Sequence, residues 1–142
     1  VAPNGPFGKI RPEKQKREFI RDGIKHALSL GRRDIGQAVV IFNDQIIAVE
    51  DQNGTDDLIR RCCNKGTAIN GPILIKVKKP GQDRRVDLPT IGIKTVELAA
   101  ECGFSGIVVE AGHTLVVNRL GVTKIADENG LFVVGEKLNN VL

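Results

Sequence analysis

The densest chemistry in the chain lies between Lys76 and Pro89, in KVKKPGQDRRVDLP. Five basic residues, Lys76, Lys78, Lys79, Arg84 and Arg85, are interleaved there with Asp83 and Asp87 around a Pro80-Gly81 pair. Basic groups in a loop neutralise phosphate oxygens, and arginine does so with a planar fork. A carboxylate beside them can hold Mg²⁺, which takes one or two carboxylates together with substrate phosphates and water. Cleavage of a diphosphate needs both parts, positive charge on the equatorial oxygens and a metal at the transition state. The same residues also describe a solvated turn whose Asp and Arg side chains pair with one another, and surface charge clusters usually contribute little. Residue types leave the two readings open, with Pro80 and Gly81 adding weight to a shaped loop.

A second cluster, Thr55-Asp56-Asp57, is ambiguous in the same way. Threonine as an N-cap with acidic residues in the first turn is what a stable helix start requires. The functional alternative places an exposed helix N-terminus against a substrate anion or ribose. Acidic residues there oppose a phosphate unless a cation intervenes. His113, between Gly112 and Thr114, is expected in a hairpin turn, where a lone histidine is most often solvated although its titration range suits proton transfer. Glu110 just before it is a weaker carboxylate candidate, and His26 falls on a helix flank. Cys62, Cys63 and Cys102 form no ligand spacing, and adjacent cysteines share a metal poorly. An odd count of three fits reduced, inert thiols better than a disulfide framework.

Elements to position these groups are legible in order. Residues 1–11, with two prolines and two glycines, read as a linker or interdomain arm. A helix follows from Pro12 toward Gly31, with Phe19, Ile20, Ile24, Ala27 and Leu28 forming one apolar stripe. Ala38–Phe42 and Gln45–Val49 are β-rich runs split by Asn43-Asp44, a hairpin signal. A short helix from Gly54 to about Asn64 precedes a strand over 73–77, with Ile73, Ile75 and Val77 on one face and Leu74 and Lys76 on the other. A helix over 93–102 stops at Gly103. Strands over 107–110 and 114–117 flank Ala111-Gly112-His113, Asn118 caps a helix to Asn129, and 131–134 is the last strand. Helices alternating with strands, plus hairpins, predict a single α/β domain over 12–142, with a mixed sheet and flanking helices.

Composition narrows the function. At 142 residues, 41% hydrophobic and 27% charged, the chain has the makings of one globular core. A formal charge of +4 suits acidic ligands but does not specify nucleic acid, and five phenylalanines as the only aromatics make poor base-stacking platforms. No apolar run approaches the ~18 residues of a membrane span. No methionine occurs anywhere, so the chain is expected to be part of a longer protein. GxGxxG, GxxxxGK[ST], HExxH and GxSxG are missing, as are the paired Asp and His motifs of dinuclear metallophosphoesterases.

The strings DIGQAVVI (34–41), NGTDDLIRR (53–61), KKPGQDRRVDLPTIG (78–92), GIVVEAGHTLVVNR (106–119) and ADENGLFVVG (126–135) together resemble the UDP-2,3-diacylglucosamine pyrophosphatase family of the LpxI type. KPGQDRRVDLPTIG is the most specific of these. The resemblance implies a two-domain cytoplasmic enzyme of Gram-negative bacteria, homodimeric and peripheral on the inner membrane, of which this chain is the C-terminal catalytic domain. It implies Mg²⁺-dependent hydrolysis of UDP-2,3-diacylglucosamine to UMP and 2,3-diacylglucosamine 1-phosphate (lipid X), in lipid A biosynthesis. Asp83 is then the metal-linked catalytic carboxylate. Lys79, Arg84 and Arg85 hold the diphosphate, and Thr55, Asp56 and Asp87 line the site. Two other readings stand beside it. A nucleic-acid-binding module rests on the basic loop alone and would bind in a strongly salt-dependent way. A non-catalytic nucleotide-sugar-binding or dimerisation domain would form a dimer without turnover.

Overall fold

The computed structural model describes residues 1–31, 38–63, 71–77 and 88–138. In chain order the elements are β1 (Gly5–Pro6), α1 (Lys14–Gly31), β2 (Ala38–Phe42), β3 (Gln45–Val49), α2 (Gly54–Arg61), β4 (Ile73–Lys76), β5 (Thr90–Ile91), α3 (Ile93–Glu101), β6 (Gly106–Glu110), β7 (Leu115–Val116), α4 (Arg119–Glu128) and β8 (Phe132–Glu136). Six strands form one mixed sheet in the order β1-β8-β6-β4-β2-β3, and β5 and β7 pair separately. The α/β class, the mixed sheet and the β2–β3 hairpin are those expected from the sequence. Asn43 makes the hairpin's turn with φ 55°, a left-handed conformation its short polar side chain tolerates.

Strands β4, β6 and β8 run parallel, joined through α3 and α4, whereas β2 runs antiparallel to β4. β4 and β6 lie inside the sheet and are buried on both faces. Their sequences, ILIK and GIVVE, accordingly read as near-continuous apolar runs. The alternation read from the β4 sequence holds. Ile73, Ile75 and Val77 join Ile20, Ile24, Ala27 and Leu28 of α1 in one core layer, and Leu74 faces the other layer. That second layer gathers Leu58 and Ile59 of α2, Val96 and Ala99 of α3, and Val122 and Ala126 of α4 around Ile107, Val109 and Val133. The sheet is thus sandwiched between α1 on one face and α2, α3 and α4 on the other. Gly23 lets α1 come close, because a Cβ there would lie 2.6 Å from the Ile75 Cδ1.

Three details differ from the sequence reading. His113 is not in a hairpin. β6 already has β4 and β8 on its two edges, so β7 has no free edge there and pairs parallel with β5 instead. Thr55 is not the N-cap of α2. Asn53 holds that position without a side-chain capping bond, and the Thr55 hydroxyl donates to the Glu50 carboxylate. A charged acceptor is the stronger partner. Residues 1–11 lie against the body of the domain. Ala2 and Phe7 are buried, the Ala2 amide donates to the Thr114 carbonyl at 2.8 Å, and the Phe7 amide donates to the Val133 carbonyl at 2.8 Å. The Lys9 amide donates to the Asp127 carboxylate at 2.9 Å, and the Arg119 guanidinium stacks 5.5 Å from the Phe7 ring centre.

Candidate functional site

Open α/β sheets bind ligands in the crevice beyond the carboxyl ends of their parallel strands. In this domain Lys76, Glu110 and Glu136 end β4, β6 and β8. The antiparallel hairpin brings two more groups to the same edge. Ala38 pairs with Lys76, and the Glu50 amide donates to the Ala38 carbonyl at 2.9 Å. Glu50 therefore stands level with Lys76, two strands away. Helix α2 starts four residues later and returns Thr55 and Asp56 to the edge.

The result is a compact polar group. The Thr55 hydroxyl donates to Glu50, and the Lys76 ammonium donates to the Thr90 carbonyl at 3.0 Å. Burial holds the Lys76 amine below its ordinary range, while the Glu50 and Asp56 carboxylates beside it act in the opposite sense. A half-buried ammonium of this kind keeps donors to spare, since one bond uses only one of its three hydrogens. Acidic residues at the start of α2 oppose an incoming phosphate unless a cation stands near them. Lys76 is that cation.

Asp57, the third member of the Thr55-Asp56-Asp57 cluster, is engaged elsewhere. Arg61 bonds it at 3.0 Å, reaches the Val49 carbonyl at 3.0 Å and sits 3.8 Å from Asp51, which ties α2 to the end of β3. At the end of β6, Glu110 is 7% exposed and its carboxylate is 3.8 Å from the His113 Nε2, so the histidine lies next to the edge. His26 is exposed on α1. Asn118 caps α4, its side chain accepting from the Gly121 amide at 3.1 Å.

Of the residues expected from the sequence, Thr55 and Asp56 are brought together here. Lys79, Asp83, Arg84, Arg85 and Asp87 lie outside the described residues; their segment, 78–87, begins two positions after Lys76 and ends just before Leu88 and Pro89. Glu50 was missed by sequence reasoning. Its only signal is its place immediately after a strand, which acquires meaning once β3 is known to end on the same edge as β4, with β2 between them. Lys76 was counted among the basic residues but not singled out. Beside the polar group lies an apolar one. The Leu115 amide donates to the Pro89 carbonyl and the Val117 amide to the Ile91 carbonyl, each at 2.9 Å, which sets β7 alongside Thr90. Leu115, Val117 and Leu120 are 43%, 60% and 86% exposed. Among the described residues, no group of three or more His, Cys, Asp or Glu side chains is placed to hold a metal, and no helix is long and apolar enough to cross a membrane.

Fold and edge together define a class, a three-layer α/β domain with a lysine and carboxylates gathered at the carboxyl ends of its parallel strands. The chain belongs to the LpxI C-terminal domain family, whose model matches residues 3–134. It is similar to a UDP-2,3-diacylglucosamine pyrophosphatase LpxI of Caulobacter vibrioides, with 44% identity over 141 residues that cover 95% of this chain and 50% of that protein. The chain thus spans about half the length of the curated relative it matches.

Proposed function

We propose that this domain handles the phosphates in an enzyme that hydrolyses the diphosphate of UDP-2,3-diacylglucosamine to UMP and 2,3-diacylglucosamine 1-phosphate, with Mg²⁺, in lipid A biosynthesis. One observation carries the reading, the 44% identity across 95% of the chain with a protein whose name states that pyrophosphatase activity. The carboxyl edge supports it chemically. Lys76 offers an ammonium to a non-bridging phosphate oxygen. In this proposal Arg84 and Arg85, with Lys79, add planar and point donors from the stretch of sequence that follows β4. Thr55 and Glu50 hold one another in place beside Lys76 with Asp56, and Asp87 is the further site residue of this proposal. The exposed Leu115, paired with Thr90, and Val117 just after it would give the acyl chains of such a substrate an apolar surface near Lys76.

The donor set suits Mg²⁺. Carboxylate oxygens from Asp56 and Glu50 stand at the edge without a closed cage, and Mg²⁺ takes one or two carboxylates while leaving positions to phosphate and water. Asp83 is the carboxylate proposed to hold it, with Asp56 as the described neighbour. When bound, the ion supplies charge neutralisation on the diphosphate and lowers the pKa of a coordinated water. The chain's own side chains bind and orient the diphosphate, and phosphoryl transfer relies mainly on such positioning and charge stabilisation. In this reading the chain, with residues 1–11 packed into its sheet and core, forms the catalytic domain beside an N-terminal domain, in a cytoplasmic homodimer peripheral on the inner membrane.

The test uses the full-length protein with UDP-2,3-diacylglucosamine and Mg²⁺, followed by phosphorus NMR. Appearance of UMP and a sugar 1-phosphate in equal amounts is expected. Release of UDP, which marks cleavage of the glycosidic bond, or no turnover at all, would overturn the proposal.

A further inference from the structure

A second concave surface lies on the opposite layer of the domain. Because α1 crosses the sheet over β2 and β4, the β8–β1 side of that face is left without a covering helix. A cavity of about 350 Å³ occupies the space. Arg11, Arg17 and Arg21 line it, with Glu136 as the one carboxylate and the backbone of Gly5 and Gly135 in its wall. A Cβ on Gly5 would meet nothing within 4 Å, so that part of the wall faces open space. Arg17 and Arg21 stand one turn apart on α1 and so share a face, where like charges repel. No ion pair or side-chain hydrogen bond engages any of these three guanidinium groups among the described residues. Three positive forks converging on a cavity with one opposing carboxylate leave an excess of positive charge and several free donors.

We propose that this groove, which shares none of its lining with the polar group around Lys76, Glu50 and Thr55, is an anion site that takes a phosphorylated group. Guanidinium forks match phosphate oxygens in pairs, and a concave wall excludes some of the water and salt that weaken exposed charges. The volume admits a phosphorylated sugar or a glycerol phosphate head group. Glu136, at one end, is placed to accept from a hydroxyl of such a ligand. The phosphate has two sources, a soluble phosphate ester or the head group of an anionic phospholipid.

The experiment measures binding by the full-length protein at about 0.1 M salt, an ionic strength that screens charges over about 10 Å. One arm titrates glycerol 1-phosphate by calorimetry. The other sediments the protein with phosphatidylglycerol vesicles, against phosphatidylcholine vesicles as the uncharged control. Arg17→Gln/Arg21→Gln should weaken binding to whichever probe is taken by at least tenfold. Lys124→Gln, at an exposed lysine of α4 with no part in either site, should leave that binding unchanged. Binding of the soluble ester identifies a free phosphate, and binding of the phosphatidylglycerol vesicles alone identifies a head group. Circular dichroism must show the double variant folded. Binding of neither probe, or equal binding by the folded double variant, overturns the proposal. The readout does not depend on hydrolysis, so it stands or falls apart from the activity proposed above.

Discussion

Lys76→Met isolates the cation of the carboxyl edge. In the wild-type domain the ammonium donates to the Thr90 carbonyl at 3.0 Å and is depressed in pKa mainly by burial. A hydrogen bond between a charged donor and phosphate contributes roughly 1.5–3 kcal/mol, so its loss should lower kcat/KM by about 10- to 150-fold. Stability should respond differently. The variant loses one hydrogen bond worth about 1 kcal/mol but no longer desolvates an ammonium, and methionine fills nearly the same volume. The net change should stay within about 1 kcal/mol. The pH dependence gives a second handle. The folded pKa of Lys76 lies below its ordinary 10.5, so between the two values the unfolded chain holds more protons. Wild-type stability therefore gains a contribution that rises with pH through that window, and Lys76→Met should lose this component. Rates come from the proposed UMP release by the full-length protein, and stability from urea melts over an alkaline pH series that ends at 10.5. A folded Lys76→Met with kcat/KM within twofold of wild type would remove Lys76 from the site. A stability loss of several kcal/mol would instead make it a structural counter-ion for Glu50 and Asp56.

Thr55→Val removes the hydroxyl that holds the Glu50 carboxylate and should cost about 1 kcal/mol in a denaturant melt, while Thr55→Ser stays near wild type; equal melts for Thr55→Val and wild type would show that the bond is not worth counting. Burial and the neighbouring Cys63 thiol push the Cys102 thiol up to about 12. Iodoacetamide at about pH 8 should therefore label the exposed Cys63 in the native protein and reach Cys102 only after denaturation, since the thiolate is the reactive form; mass spectrometry of the labelled peptides decides it. Gly106→Ala would set a Cβ 2.2 Å from the buried Phe132 ring, and the forced repacking should cost about 1–3 kcal/mol, read as a lowered melting midpoint; an unchanged midpoint would mean the ring moves aside freely.

Much of the fold was legible because its signals are local. The β2–β3 hairpin follows from two β-rich runs around Asn43-Asp44, and the faces of β4 follow from alternation. Asn118 as the cap of α4 follows from a side chain well suited to the Gly121 amide. What sequence could not give was pairing. β7 looks like a hairpin partner for β6 until β6 is seen to be enclosed by β4 and β8. Thr55 looks like a cap until Glu50, a strand end away, offers its hydroxyl a charged acceptor. The candidate site divides along the same line. The basic loop was visible as composition, and its family resemblance named Asp83. Glu50 and the importance of Lys76 became visible only when β2, antiparallel to both, placed the ends of β3 and β4 on the same edge.

Asp83→Ala in the full-length protein is the most direct test of the proposed diphosphate chemistry. Asp83 follows the Pro80-Gly81 pair and precedes two arginines, on the segment that leaves β4. Removing its carboxylate takes away the proposed metal contact and leaves Lys76, Arg84 and Arg85 to bind the diphosphate. Initial rates should be measured across a Mg²⁺ titration, with substrate binding followed separately and folding checked by circular dichroism. Turnover lower by several orders of magnitude, with substrate affinity retained, is the expected result, because a metal supplies several kcal/mol of charge stabilisation. A folded Asp83→Ala that keeps near-normal Mg²⁺-dependent turnover would contradict it and move the catalytic carboxylate to Asp56 or Asp87.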